Sequence, residues 1–548
     1  MAVVTPIADK KEQKLHEMVE QATRAFAEGQ FDVCEQLCVD IEALQPGHPD
    51  VANILAIVSA QSGQLVYAEQ LFVKAINAAP QRADLHANLA RLYLRQRLYS
   101  DALERFNSAL ALNPQAVLDV QLGYCAALSG LGDHDRALSL LQELQAQYAD
   151  DLNVVMARYS ALHQAQRLDE AKSCLEHVIA AAPGYFEARI QMAQLLLQQG
   201  AGSSAESVLR EALSLNPGDI RAWAMLAGLK TFTCDDDADK LAIEALYNQC
   251  PEDAPERIPL CFALGKANEE LQQFEKAFAF TREGNALRQR MSGYHADAEI
   301  AHLQAVTAFY TPEVLGGSSG LEDQRPLFIV GLPHCGSTLV EQILAVHPDA
   351  GGSGAANGFE QSMFEQRPPN QRLTFEDIAT FSSQQWQEVG HSYLAKLDAG
   401  DAVRVVDNTL ANFRLVGAIH CALPHARMIH VCRQPLDHCL SIYKHNLEAG
   451  QLDFACDLEQ LGHYYRHYQQ VMQHWREVLP AGVMYEVDYE KLLAAPEDEA
   501  RKLLAACGLE WSDAVLPVIR AIRADAVVSA AQYATQLQPL AAILAAAA

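Results

Sequence analysis

The sequence predicts two dissimilar parts: an all-α array of helical repeats, then an α/β domain built on a parallel sheet with a phosphate-binding loop. Three observations carry this. Prolines recur at Pro46, Pro80, Pro114, Pro183 and Pro217, with gaps of 34, 34, 69 and 34 residues, so the third gap holds two units. Short apolar, β-rich runs begin only after residue 320 and alternate with helical patterns. The first of those runs leads straight into a Gly/Ser/Thr turn.

A chain of 548 residues is too long for one core. Its net charge of −28, from 41 basic and 69 acidic residues, repels nucleic acid and anionic membrane, so an anionic cosubstrate needs a local basic pocket. Met1-Ala-Val-Val-Thr-Pro lacks a basic start followed by an apolar core, and no window reaches about 18 apolar residues. A soluble, cytoplasmic protein is expected. The 13 cysteines are scattered without C-x-x-C, which favours small buried thiols in a reducing compartment over metal or disulfides.

After a tail at 1–14, the repeats run from 15 to 225. Small residues keep the proline beat at Cys34, Ala68, Ala102, Ala137, Ala171 and Ala205, where the two helices of a pair must approach closely. Each unit leaves an apolar face that only its neighbours cover, so about six units stack as a solenoid. Tyr99-Ser-Asp-Ala-Leu-Glu-Arg-Phe-Asn-Ser-Ala-Leu-Ala-Leu-Asn-Pro114 resembles the tetratricopeptide repeat. That resemblance implies a concave surface holding a protein or peptide; dimerisation, or bracing of the second part, stays open as an alternative. Residues 226–320 stay helical without the clean period. Asp235-Asp-Asp237 reads as a solvated helix start rather than a metal site, and Phe274-Glu-Lys-Ala277 repeats the earlier phrasing. Gly316-Gly-Ser-Ser-Gly320 reads as a linker.

The α/β domain spans 321–515, with a short segment at 516–548. Pro326-Leu-Phe-Ile-Val330 reads as a strand, the residues from Gly331 to Gly336 as a loop, and those from Ser337 as a helix. Inward-turned loop amides and the helix's free N-terminal donors suit a phosphate. The nucleotide-hydrolase loop, G-x-x-x-x-G-K-[ST], would place lysine where Ser337 stands. Further strands are expected at Val403–Asp407, Arg427–Cys432 and Val483–Val487, with ligands at their carboxyl ends. Arg433 follows the second of these and precedes Ser441 by eight positions, on a helix begun by Pro435.

Gly331-Leu-Pro-His-Cys-Gly-Ser-Thr-Leu339 resembles the 5′-phosphosulfate loop of sulfotransferases dependent on 3′-phosphoadenosine 5′-phosphosulfate (PAPS), and Arg433 with Ser441 resembles their 3′-phosphate site. Asn412-Phe-Arg-Leu-Val-Gly and Tyr485-Glu-Val-Asp-Tyr-Glu-Lys-Leu extend the resemblance over about 326–515. Repeats fused ahead of such a domain resemble bacterial tetratricopeptide sulfotransferases, with tyrosyl-protein enzymes more distant. The resemblance implies sulfuryl transfer from PAPS to a hydroxyl without metal. It places Gly331, Pro333, Cys335, Gly336, Ser337, Thr338 and Leu339 at the 5′ end, Arg433 and Ser441 at the 3′-phosphate, and Ser529 beside the cosubstrate.

Transfer needs held phosphates, positive charge on the bridging oxygen and a base for the acceptor's proton. Relatives use an arginine or lysine in the loop, a lysine after an aspartate, and a glutamate after the first helix. This chain carries His334, Asn408 and Ala355 there. Three explanations compete. An active enzyme draws its charge or base from His334, with Glu360 five positions past Ala355; Ala355 is an engineered substitution in an active protein; or the domain is a scaffold and only the repeats act. A kinase-like reading, marked by magnesium-dependent hydrolysis, is a further rival, and a homodimer is possible.

Overall fold

A computed structural model describes residues 7–113, 118–317, 320–353, 358–367, 373–397, 402–446, 452–522 and 529–546. Pro114, the Ser318-Ser319 centre of the linker, Ala355 and Val527-Val528 lie outside them. The chain forms two compact units, 1–217 and 218–548.

Six helix pairs make the first unit: Ile7–Ala27 with Phe31–Leu44, Pro49–Gln61 with Leu65–Ala78, Ala83–Arg95 with Tyr99–Leu112, Leu118–Gly130 with His134–Gln147, Leu152–Gln164 with Leu168–Ala181, and Phe186–Gln198 with Gly202–Leu215. Cys34, Ala68, Ala102, Ala137, Ala171 and Ala205 are all buried. A larger side chain there would force the helices apart. The turn within each pair uses one left-handed residue: Gly29, Gly63, Arg97, Gly132, Gln166 and Gly200, with φ between 57° and 84°. Arg97 and Gln166 are exposed and bear the Cβ cost that glycine avoids. Arg97→Gly and Gln166→Gly are each expected to stabilise the array by about 0.5–1 kcal/mol, read as a higher denaturation midpoint at unchanged slope.

The second unit begins with the helices Ile220–Leu229, Ala238–Gln249, Arg257–Glu270, Phe274–Ser292 and Asp297–Phe309. Asp237 caps the second of these, accepting the amides of Asp239 and Lys240 and pairing with Lys230, so the acidic run is a helix start. The pair around Gln272, whose φ is 60°, repeats the turn of the array.

Among the described residues five parallel strands follow: β1 (Pro326–Val330), β2 (Ala350–Ser353), β3 (Arg404–Asp407), β4 (Arg427–Cys432) and β5 (Met484–Asp488), ordered β2-β3-β1-β4-β5. β1 is central, with Leu327 opposite Val406 of β3 and Arg427 of β4. Its side chains alternate between two cores. Phe328 and Val330 meet Phe413, Trp475 and the preceding helices through Phe278, Leu303, Tyr310 and Leu315; Leu327 and Ile329 meet Val340, Ile343, Leu503 and Leu504. β2 was not among the strands expected from the sequence. Ala-Gly-Gly-Ser has no strand preference of its own and is extended by pairing with β3 at the sheet edge. All strand carboxyl ends share one rim. No helix among the described residues is long and apolar enough to cross a membrane.

Candidate functional site

The loop leaving β1 is fixed by its carbonyls. Gly331 donates its amide to Leu410 O at 3.2 Å, tying the loop to the turn after β3, and Cys335 N–H closes back on Leu332 O at 3.3 Å. Pro333 O accepts from His438 Nε2 at 2.8 Å, and His334 O accepts from Arg433 Nη1 at 2.8 Å. Because N–H and C=O of a trans peptide point oppositely, a carbonyl held from one side turns the next amide to the other. The amides of Ser337 and Thr338 open the helix Ser337–Ala345 and have no intrahelical acceptor by position. First-turn amides of this kind suit an anion, and the Ser337 amide and hydroxyl lie against the Cys335 thiol.

Two residues bend the loop. His334 is left-handed at φ 67°, and Gly336 at φ 102°. A Cβ on Gly336 would fall 2.2 Å from Tyr489 Cδ2, so the loop is pressed against the tyrosine that follows β5. Tyr489 also lies under the Arg433 guanidinium, 5.3 Å from ring centroid to Cζ. The ends of β1, β3, β4 and β5 thus meet around one loop.

The electrostatics follow from burial without acidic partners. The His334 ring is 4.2 Å from that of His445. Burial, then His445 and Arg433, push His334 down to about 4, and burial lowers His445 as well. Both are neutral at neutral pH. His438 is pushed down to about 3, mainly by burial, so its Nε2–H donates to Pro333 and its Nδ1 accepts from Tyr465 OH at 3.1 Å. Burial raises the Cys335 thiol to about 11, which keeps it protonated and unsuited to nucleophilic attack.

Beneath the loop, Tyr468 OH lies 2.7 Å from His430 Nε2, and His430 Nδ1 meets Glu486 Oε1 at 3.0 Å. His430, Cys432 and Glu486 are the one group among the described residues spaced to ligate a metal. The Arg476 guanidinium already pairs with Glu486, and a cation would have to displace it. The His430 contact, reinforced by Arg476 against burial, holds Glu486 down to about 2; burial holds His430 low. A lowered carboxyl stabilises the fold above its unfolded value of 4.5 and stops doing so as pH falls toward 2. Glu486→Gln is therefore expected to flatten the acid limb of a stability–pH curve between those values.

Of the residues singled out by sequence, Gly331, Pro333, His334, Cys335, Gly336, Ser337, Thr338, Leu339 and Arg433 come together. Ser337 is buried and Thr338 exposed. Ser441 is the seventh residue of the helix Pro435–Tyr443, which begins after Arg433, and the Arg433 guanidinium turns to the loop. Ser529 caps the turn Ala530–Tyr533, and the Ala530 amide donates to Asp437 of the same helix at 2.6 Å. Glu360 lines a cleft of about 380 Å³ with His302, Tyr310, Phe375 and Arg414, which no loop residue borders. Asn408 donates to Glu341 at 2.7 Å, beside fully buried Asp407. Sequence reasoning missed His438, His445 and Tyr489. Tyr489 had a signal in its place directly after a strand; the histidines had none.

Residues 326–513 match the sulfotransferase family, and residues 93–158 and 162–229 match the tetratricopeptide repeat. An uncharacterized protein of Aquifex aeolicus is 29% identical over 378 residues, covering 66% of this chain and 48% of that protein. The tetratricopeptide-repeat-containing protein YpiA of Bacillus subtilis is 23% identical over 262 residues, covering 46% of this chain and 58% of YpiA. The chain spans about half the length of these relatives. A tetratricopeptide repeat protein from Parabacteroides merdae aligns with 50% of this chain and 99% of its own, at 13% identity and a TM-score of 0.37. The protein joins a tetratricopeptide-repeat array to a domain of the sulfotransferase family.

Proposed function

We propose that the protein is a PAPS-dependent sulfotransferase that sulfates a hydroxyl on a protein or peptide presented by its repeats. The observation behind this reading is the 2.8 Å bond from Arg433 to the His334 carbonyl, which brings the arginine after β4 against the loop after β1. The residues suit a doubly phosphorylated nucleoside. Gly336 bends the loop, Ser337 and Thr338 offer first-turn amides and hydroxyls, and Arg433 pairs with no carboxylate among the described residues. PAPS supplies the activated sulfuryl group.

In this reading the chain's own groups do the rest. The segment Gly331 to Leu339 orients the 5′ end, while Arg433, with Ser441 on the helix that follows it, takes the 3′-phosphate. Neutral His334 has a ring lone pair for an acceptor's proton. Ser529 adds a hydroxyl beside the Arg433 helix, and Glu360 serves as base only for a hydroxyl lying in the cleft with His302. Tetratricopeptide arrays support protein binding, which makes a polypeptide acceptor the economical choice. A scaffold without turnover is favoured by one observation: Asn408, where relatives carry lysine, is engaged with Glu341.

Calorimetry with adenosine 3′,5′-bisphosphate separates the two, since a scaffold without a nucleotide site gives no heat. Turnover of labelled PAPS by this chain and by Ala355→Glu then tests competence. Activity in both supports the transferase with its present groups; activity only in the variant removes His334 as the working base.

A further inference from the structure

Three potential ligands that the transfer reaction does not use meet at the carboxyl ends of β4 and β5. His430 and Cys432 stand two apart on β4 and so share one face, and Glu486 is the direct partner of His430 across the ladder. Their ligand atoms form a triangle: Cys432 Sγ lies 3.3 Å from His430 Nδ1 and 3.6 Å from Glu486 Oε1, and that oxygen lies 3.0 Å from Nδ1. A tetrahedral ion with bonds of about 2.0–2.3 Å needs ligand atoms about 3.3–3.6 Å apart. The triangle is within a few tenths of an ångström of one face of that tetrahedron.

The surroundings suit an ion on this face. The Tyr468 hydroxyl holds His430 Nε2 at 2.7 Å, the outer contact that fixes a ligating imidazole with Nδ1 toward its metal. β5 is an edge strand, and the Glu486 side chain is 40% exposed against 4% for His430, so the fourth position opens to water. Arg476 closes that side, with Nε and Nη2 both on Oε1 of Glu486. His430 and Cys432 reach the same oxygen, so turning the carboxylate gives Oε1 to an ion and Oε2 to the guanidinium.

We propose that His430, Cys432 and Glu486 form a three-ligand site for a divalent cation of the zinc class, entered when Arg476 leaves Glu486 Oε1. Imidazole, thiolate and carboxylate together select a borderline-soft ion over magnesium or calcium, which take oxygen ligands. Two anionic ligands balance the ion's charge. Binding forms the metal–sulfur bond and breaks the S–H bond, releasing one proton to solvent, while the His430 proton passes from Nδ1 to Nε2. The site is independent of the nucleotide reading, since no phosphate ligand enters it.

The test is Co2+ titration of the reduced full chain. The expected result is one ion with tetrahedral ligand-field bands and a thiolate-to-cobalt absorption, displaced by Zn2+ but not by Mg2+, with one proton released per ion. Cys432→Ser is expected to lose the thiolate band, and Arg476→Gln to tighten binding by about tenfold by removing the competitor for Oε1. That gain cannot come from misfolding, so it decides the matter even where Cys432→Ser does not fold. A thiolate band that persists in Cys432→Ser would assign the ion to another cysteine and overturn the site. Absence of tetrahedral bands in the parent and in Arg476→Gln, or weaker binding in Arg476→Gln, would overturn it too.

Discussion

Arg433→Ala is expected to weaken adenosine 3′,5′-bisphosphate binding by about thirtyfold or more. The side chain does two jobs. It carries the site's permanent positive charge, and its Nη1 holds the His334 carbonyl at 2.8 Å. Truncating a partly buried charge that meets a ligand charge costs roughly 2–5 kcal/mol, and each 1.4 kcal/mol or so is tenfold in affinity. The freed carbonyl also loosens the turn that the Cys335 N–H closes on Leu332 O. Arg433→Lys keeps the charge but not the planar fork, so an intermediate loss is expected. Calorimetry on the three proteins checks both statements; equal affinity of the alanine variant and the parent would remove Arg433 from the site.

Gly336→Ala is expected to act from the other side of the loop. At φ 102° a Cβ brings left-handed strain of about 1–2 kcal/mol, and it would overlap Tyr489 at 2.2 Å. The ring must leave, taking with it the surface on which Arg433 rests at 5.3 Å. Global stability should fall by about 1–3 kcal/mol, while nucleotide binding should be lost outright. Denaturant unfolding and calorimetry together separate these effects. A variant as stable as the parent that still binds would mean the tyrosine moves freely and the loop does not depend on it.

The repeats were legible because each unit says the same thing, a buried small residue and a turn at one period, with a proline closing five of the six. The sheet was legible where apolar runs are long enough to show, as in β1 and β4. β2 was not, because its extended shape comes from its neighbour and not from Ala350-Gly-Gly-Ser353. At the site, the loop and Arg433 carry local patterns and were found. The histidine contacts were not, since His438 reaches the Pro333 carbonyl across 105 positions and the His445 ring meets the His334 ring across 111 (445 − 334). A histidine after a helix looks alike in sequence whether it faces solvent or another ring. Glu360 shows the converse, being near Ala355 in sequence but turned into a different cleft.

The change from helices to strands near residue 320 is not a seam. Glu269 holds both Lys444 and the Tyr533 hydroxyl, Asn285 donates to Tyr443 O, and Phe278 packs on Tyr443 and Tyr533. A fragment starting at the first strand would bare that aromatic surface and strand a lysine and an asparagine. The sulfotransferase-family domain is thus part of a larger inheritable piece than its signature at 326–513, and any excision meant to fold has to start upstream, near Gly218.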